Sequence, residues 1–277
     1  MTGETFKKAA VIGWPIKHSK SPLIHGYWLK QFAIDGSYQA IGLSPDDFVS
    51  GIRDLVARDY RGCNVTIPHK ETALAMADYV SDTAKAIGAA NTLVFKDGKI
   101  YADNTDGIGF INNLKQGAPQ WNASSGPALV LGAGGAARAI IYALLQEGAP
   151  KVIVANRTAE KAKRLASAFG EKVVAITLAK VPEVVGDVQT LVNTTSLGMV
   201  GQPALQIDIS GLPKTALVTD IVYNPLTTEL LKQAQGLGLE TVDGLGMLLH
   251  QAVPGFEAWF GVRPVVNTTL RQIVIAG

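Results

Sequence analysis

The sequence predicts an α/β fold in two domains, and three observations carry that expectation. Short apolar runs alternate with amphipathic stretches along the whole chain, as strands do with helices in a mostly parallel sheet. A glycine-rich turn, Gly132-Ala133-Gly134-Gly135-Ala136-Ala137, lies between one such strand and one such helix. A stretch rich in Gly, Pro, Ser and Asn, Lys115 to Pro127, separates that turn from the preceding half and reads as a surface connection.

Composition limits what such a chain can be. Its 277 residues suffice for one large or two smaller cores, and 47% hydrophobic with 17% charged residues describes a globular protein rather than a disordered one. Lys plus Arg total 25 against 23 for Asp plus Glu, and a net charge of +2 is too small to propose a nucleic-acid surface. No run of 18 apolar residues is present, so no membrane span is expected. The single cysteine, Cys63, excludes an internal disulfide and a multi-cysteine metal site. Met1 to Lys8 lacks the apolar run of a signal peptide, and the expected location is the cytoplasm.

Element by element, Ala9 to Gly13 reads as a first strand. Ser21-Pro22 opens a helix through about Ile34, with serine as cap and proline at the first helical position. A strand follows at Ser37 to Leu43, a helix at Pro45 to Arg58, and a third strand at Cys63 to Ile67. Thr92 to Phe95 and Lys99 to Ala102 form a hairpin, because Asp97-Gly98 supplies the positive φ angles of a tight turn. Ala128 to Leu131, the glycine turn, a helix to about Glu147 and Lys151 to Ala155 make a βαβ unit. Further strands fall at Thr190 to Asn193, Leu217 to Ile221 and Glu240 to Val242. Helices at Gly246 to Phe260 and Val265 to Ile275 close the chain. The expected partition is a first domain over 1–106, a nucleotide-type domain over 107–245, and closing helices over 246–277 whose partner the pattern alone does not fix.

The glycine turn fits G-x-G-x-x-G/A, with Ala137 third. The first glycine permits the tight turn, the second lets backbone N–H groups approach a pyrophosphate, and the small third residue lets helix and strand pack closely. A Rossmann-type dinucleotide site is therefore expected. An NAD-binding unit places Asp or Glu at the end of its second strand; here stand Asn156-Arg157-Thr158, followed by Lys161 and Arg164, which suit the 2′-phosphate of NADP. In the first half, Ser19-Lys20-Ser21-Pro22 places two hydroxyls at a helix start, where a small carboxylate is held or the helix is merely capped. Asn64-Val65-Thr66-Ile67-Pro68-His69-Lys70 is read as a strand with Val65 and Ile67 on one side. Asn64, Thr66 and Pro68 lie on the other, and the segment ends in an ammonium. Asp103-Asn104-Thr105-Asp106-Gly107 adds two carboxylates.

Together with Asn91-Thr92 and Gly246-Met247-Leu248-Leu249-His250-Gln251-Ala252, these motifs resemble the shikimate dehydrogenase family, in order and over nearly the whole chain. The resemblance implies an α/β substrate domain over 1–106, completed by the closing helices, and a Rossmann-type NADP domain, with the active site in the cleft between them. It implies a reversible, NADPH-dependent reduction of 3-dehydroshikimate to shikimate, within aromatic amino-acid biosynthesis. It assigns Lys70 and Asp106 as the catalytic pair and Ser19 and Ser21 to the substrate carboxylate. Thr66, Lys70, Asn91, Asp106, Tyr223 and Gln251 would contact the ring hydroxyls or the reacting oxygen. Gly132 to Ala137 (Gly132, Ala133, Gly134, Gly135, Ala136, Ala137), Asn156, Arg157, Thr158 and Lys161 would hold NADP, with Ile221 and Gly244 near its nicotinamide end. Asp82 stands where the family places an acidic residue near the cofactor. No metal is expected, the histidines and Cys63 receive no role, and the expected state is a monomer or homodimer. Two alternatives stay open: a quinate/shikimate dehydrogenase of broader range, and a metabolite-sensing relative without turnover.

Overall fold

The computed structural model describes residues 6–277; Met1 to Thr5, where the reading for a signal peptide begins, lie outside the described residues. In chain order the elements of the first part are β1 (Lys7–Gly13), α1 (Ser21–Gln31), β2 (Gly36–Gly42), α2 (Phe48–Ala57), β3 (Tyr60–Val65), α3 (Lys70–Met76), β4 (Tyr79–Val80), α4 (Asp82–Ile87), β5 (Thr92–Lys96) and β6 (Lys99–Asp103). Next come α5 (Asp106–Gly117), β7 (Ala128–Leu131), α6 (Gly135–Gln146), β8 (Val152–Asn156), α7 (Ala159–Phe169), β9 (Val173–Thr177), α8 (Val181–Val184), β10 (Thr190–Asn193), β11 (Leu217–Asp220), α9 (Glu229–Gly236) and β12 (Glu240–Val242). The chain closes with α10 (Leu245–Phe260) and α11 (Thr268–Ala276). It divides into two compact units, one of residues up to Thr105 with Leu249–Gly277, the other Asp106–Leu248.

The first unit holds a six-stranded sheet in the order β2-β1-β3-β5-β6-β4. β1 pairs in parallel with β2 and β3, while β3-β5 and β5-β6 are antiparallel. Asp97 and Gly98 both have positive φ, as the hairpin reading requires. Ile12, Phe48, Ile52, Cys63 and Leu93 form part of its core. The second unit holds a six-stranded sheet in the order β12-β11-β10-β7-β8-β9, all parallel. That order is the doubly wound one, with its reversal between β7 and β10, the point at which sheets of this kind bind ligands outside the carboxyl ends of their strands. The α/β reading with a Rossmann-type second half therefore holds.

Several local expectations are corrected. Helix α1 has Lys20 as its half-helical cap, with Ser21 already inside and no side-chain cap bond, and it stops at Gln31 rather than Ile34. Ala33 turns left-handed (φ 52°), so the Ala33 and Ile34 N–H groups bond back to the carbonyls of Lys30 and Leu29. Alanine in the position usually given to glycine hides that stop. Strand β3 begins earlier and ends at Val65; Ile67 is 70% exposed and does not share the face of buried Val65. Helix α2 starts at Phe48, not Pro45, after a turn in which the Ser44 hydroxyl donates to Asp47. Helix α11 starts at Thr268, not Val265, because the Asn267 side chain accepts from Leu270 N–H.

The predicted surface connection is the largest miss. Lys115 belongs to α5, and beyond it Ala118 and Ala123 are buried while the Trp121 indole donates to Thr190 Oγ1 at 2.9 Å.

At Gly62 the backbone lies at φ 155°, and a Cβ there would collide with the Leu93 carbonyl and with the Trp259 indole nitrogen that donates to that carbonyl. At Gly98 the φ is +72° but a Cβ would meet nothing within 4 Å. Gly98→Ala is therefore expected to cost only left-handed strain, about 1–2 kcal/mol, and Gly62→Ala clearly more, in urea unfolding of the two variants side by side. Equal costs would show that the Trp259 contact does not constrain position 62.

Candidate active site

In the first unit Asn91, at the entry to β5, is the centre of a buried hydrogen-bond network. Its side chain is 2% exposed, so each of its hydrogen-bonding directions needs a partner inside the protein. The Oδ1 atom accepts from the Thr105 backbone N–H at 2.8 Å and from Thr92 Oγ1 at 3.0 Å. The Nδ2 atom donates to Thr105 Oγ1 at 3.0 Å and to Gln251 Oε1 at 3.3 Å. Thr105 Oγ1 in turn donates to the Gln251 carbonyl at 2.8 Å. The hairpin, the segment after β6 and α10 thus bring Asn91 and Gln251 together, 160 residues apart in sequence.

Around this hub, Lys70 opens α3 and is half-buried, and its carbonyl accepts from Ala90 N–H at 2.9 Å, placing it one residue from Asn91. Thr66 follows β3, tied to β1 by its N–H on the Ile12 carbonyl at 2.9 Å. Gly13 makes room for it, since a Cβ there would lie 2.5 Å from Thr66 Cγ2. Ser19 and Ser21 flank the start of α1; Ser19 Oγ accepts from Ser21 N–H at 3.3 Å, which leaves the Ser19 proton available to a ligand. Asp82 is an exposed first-turn residue of α4 in this same unit, below a Ser81 cap. His69 is structural: its ring stacks on Phe48 at 4.4 Å and its Nε2 lies 2.8 Å from the Leu43 carbonyl. Cys63 is fully buried and burial pushes its thiol up, which suits a core side chain and not a nucleophile.

In the second unit Asp106 is the first residue of α5 and 9% exposed. The glycine turn lies between β7 and α6, at the point where the strand order reverses. Gly132 has φ 107°, and a Cβ there would lie 2.7 Å from Thr194 Oγ1, so only glycine fits. Gly134 and Gly135 have nothing within 4 Å of a would-be Cβ, and α6 begins with no side-chain cap. Open space over uncapped backbone N–H groups suits a pyrophosphate, and buried Ala137 packs the helix onto the strands. At the end of β8, Asn156 Nδ2 donates to the Thr158 carbonyl at 2.9 Å, while Arg157, Thr158, Lys161 and Arg164 are all exposed. The strand end itself, Asn156-Arg157-Thr158, carries no carboxylate to repel a 2′-phosphate, and Glu160 in the first turn of α7 is paired with Lys163 at 2.9 Å. Ile221 and Gly244 are in backbone contact: a Cβ on Gly244 would strike the Ile221 carbonyl. Tyr223, two residues on, is 36% exposed, and the burial of the rest of its side chain raises its phenol so that it stays a donor.

Three family models match the chain: the shikimate dehydrogenase substrate binding domain over residues 11–93, shikimate / quinate 5-dehydrogenase over 115–243, and the shikimate 5′-dehydrogenase C-terminal domain over 244–272. The chain belongs to the shikimate dehydrogenase family. A relative from Ruegeria sp. (strain TM1040), named shikimate dehydrogenase (NADP(+)), is 52% identical over 99% of this chain and 100% of its own. The shikimate 5-dehydrogenase of Thermus thermophilus, solved in complex with NADP(H) and shikimate, superposes with a TM-score of 0.87 at 36% identity, covering 98% of this chain and 99% of that one. The quinate dehydrogenase of Corynebacterium glutamicum, solved with NAD, superposes with a TM-score of 0.91 at 31% identity over 98% and 99%. The family resemblance read from the motifs is therefore established, while backbone likeness extends equally to a quinate enzyme. Among the described residues no group of three or more His, Cys, Asp or Glu is placed to hold a metal ion, and no helix is long and apolar enough to cross a membrane.

Sequence reasoning assigned no role to several buried polar residues of this shikimate dehydrogenase family member. Asn64, Thr92 and Thr105 complete the network around Asn91; Thr92 sits next to Asn91 and Thr105 next to Asp106, both singled out from the sequence, while Asn64 neighbours no such residue. Asp220, at the end of β11, is fully buried and accepts from Asn193 Nδ2 (3.0 Å), Val222 N–H (3.0 Å) and Thr228 Oγ1 (2.7 Å). Burial raises its carboxyl against the pull of those donors. It anchors the segment that carries Ile221 and Tyr223. Asp220→Ala leaves three buried donors without an acceptor and is expected to cost about 3 kcal/mol in urea unfolding; a cost below about 1 kcal/mol would mean that water replaces the carboxylate.

Proposed function

We propose that the chain catalyses the reversible, NADPH-dependent reduction of 3-dehydroshikimate to shikimate. One observation carries the reading. A chain that matches NADP(+)-named relatives end to end carries, at the end of β8, Arg157 and Thr158 where an NAD-binding unit has a carboxylate. The Asn91 hub with Gln251, two serines at the start of α1 and Lys70 beside Asn91 supply donors and acceptors for a small, hydroxylated carboxylate. A cytoplasmic location goes with this reading, supported by the single, buried cysteine.

When bound, NADP(H) supplies or takes up the hydride. The Gly132–Ala137 turn and the first turn of α6 would hold its pyrophosphate, and Asn156, Arg157, Thr158 and Lys161 its 2′-phosphate. Ile221 and Gly244 would border the nicotinamide. Ser19 and Ser21 hold the substrate carboxylate, and Thr66, Asn91, Tyr223 and Gln251 fix the ring hydroxyls. Lys70 Nζ donates its proton to the carbonyl oxygen of 3-dehydroshikimate as negative charge develops there, and Asp106 accepts from the hydroxyl formed. In the reverse direction Lys70 must take that proton back.

Lys70→Ala is expected to lower kcat by about 10²–10⁴, the range for a general acid/base, with a smaller change in KM for shikimate. Near-normal turnover in that variant would transfer the proton to another donor. An ammonium has no lone pair with which to accept a proton, so in the direction of shikimate oxidation Lys70 acts as the neutral amine.

A further inference from the structure

Tyr38, in the middle of β2, is 8% exposed and belongs to none of the motifs that led to the proposed function. Its hydroxyl donates to Asn64 Oδ1 at 2.6 Å. The direction of that bond is fixed by what Asn64 does with its other end. Asn64 Nδ2 donates to the Asn91 backbone carbonyl and to Thr92 Oγ1, both at 3.3 Å, so its oxygen must face Tyr38. Thr92 Oγ1 then donates to Asn91 Oδ1, whose identity as the oxygen is fixed by the Thr105 backbone N–H, and Asn91 Nδ2 points on to Thr105 and Gln251. Every donor in the series Tyr38, Asn64, Thr92, Asn91 aims the same way, and such a chain polarises cooperatively.

Because the Tyr38 proton is committed to Asn64, the Tyr38 hydroxyl is the first donor of the series. Tyr38 itself has little freedom. His25 lies flat against its ring, with centroids 3.8 Å apart and planes 11° apart, and Trp259 closes on it at 6.0 Å. The His25 ring is fully buried, neither of its nitrogens has a hydrogen-bond partner, and burial holds it down at about 3, so it packs as a neutral plate.

The geometry points to Tyr38 as a positioning residue for the hydroxyl-holding Asn91 and Gln251 of the proposed substrate site. Tyr38 touches no substrate in this account. Through Asn64 and Thr92 it sets the orientation of the Asn91 amide. The inference rests on the proposed shikimate reading of the same residues.

Tyr38→Phe keeps the ring on His25 and removes only the hydroxyl. The expected result is a rise in KM for shikimate of about fivefold to thirtyfold, the worth of a buried hydrogen bond of this kind, with KM for NADP within about twofold of the parent. A merely structural role would not split the two. Combining Tyr38→Phe with Thr92→Val is expected to raise KM for shikimate by less than the product of the separate effects; a full product would overturn the series. Unchanged KM for shikimate, or equal rises for both substrates, with the parent active, would overturn the proposal alone. No shikimate-dependent NADP reduction by the parent would remove the functional reading and this inference with it. If Tyr38→Phe does not fold, Thr92→Val cuts the same series one link further on, and an unchanged KM for shikimate in that variant overturns the proposal equally.

Discussion

A carboxamide sealed from solvent cannot leave any of its hydrogen-bonding directions empty without a cost of about 1–3 kcal/mol each, and Asn91 is such a group. Its partners come from β5, from the backbone after β6, and from a helix 160 residues away. Satisfying it therefore ties the hairpin, the segment leading to Asp106 and the start of the C-terminal helical part into one arrangement. Lys70 is drawn to the same place by the bond from Ala90 N–H to its carbonyl. The residues with the chemistry of the proposed reaction are held by groups that have no reaction to perform.

The second unit reaches its arrangement by a different route. Its six parallel strands reverse their order between the paired strands β7 and β10, and the β7–α6 turn stands at that point as backbone rather than side chain. Gly132 is needed because Thr194 occupies the room of a Cβ; Gly134 and Gly135 matter for the opposite reason, that nothing occupies it. Asp220 secures the end of β11, where burial of a carboxylate is tolerated because three donors converge on it. Rigid elements thus carry the site on both sides of the switch point.

The sequence made legible those features whose chemistry demands particular residues close together in the chain. The glycine turn, the Asn156-Arg157-Thr158 strand end and the Asp97-Gly98 hairpin are of that kind, and the strands Thr190 to Asn193 and Glu240 to Val242 matched to the residue. What stayed hidden depends on partners distant in sequence or on residues in unusual roles. Ala33 ends α1 in a conformation expected of glycine. Helix α5 was obscured by Gly107, Gly109, Asn112 and Asn113, although Phe110, Ile111 and Leu114 bury one face. Strand β9 escaped notice because it lies at a sheet edge with mixed exposure. Tyr38 and Asn64 are 26 residues apart, and no spacing rule joins residues on two strands that each pair with β1 but not with each other.

Backbone similarity to both shikimate and quinate enzymes leaves the decision to side chains, above all Arg157 and Thr158 with the serines and Asn91. The most direct test is initial rates for shikimate and quinate, each with NADP and with NAD, on one preparation of the protein. The account predicts that shikimate with NADP is the fastest pair, with NAD a poor substitute. Faster turnover of quinate with NAD, or equal efficiency with the two cofactors, would contradict it.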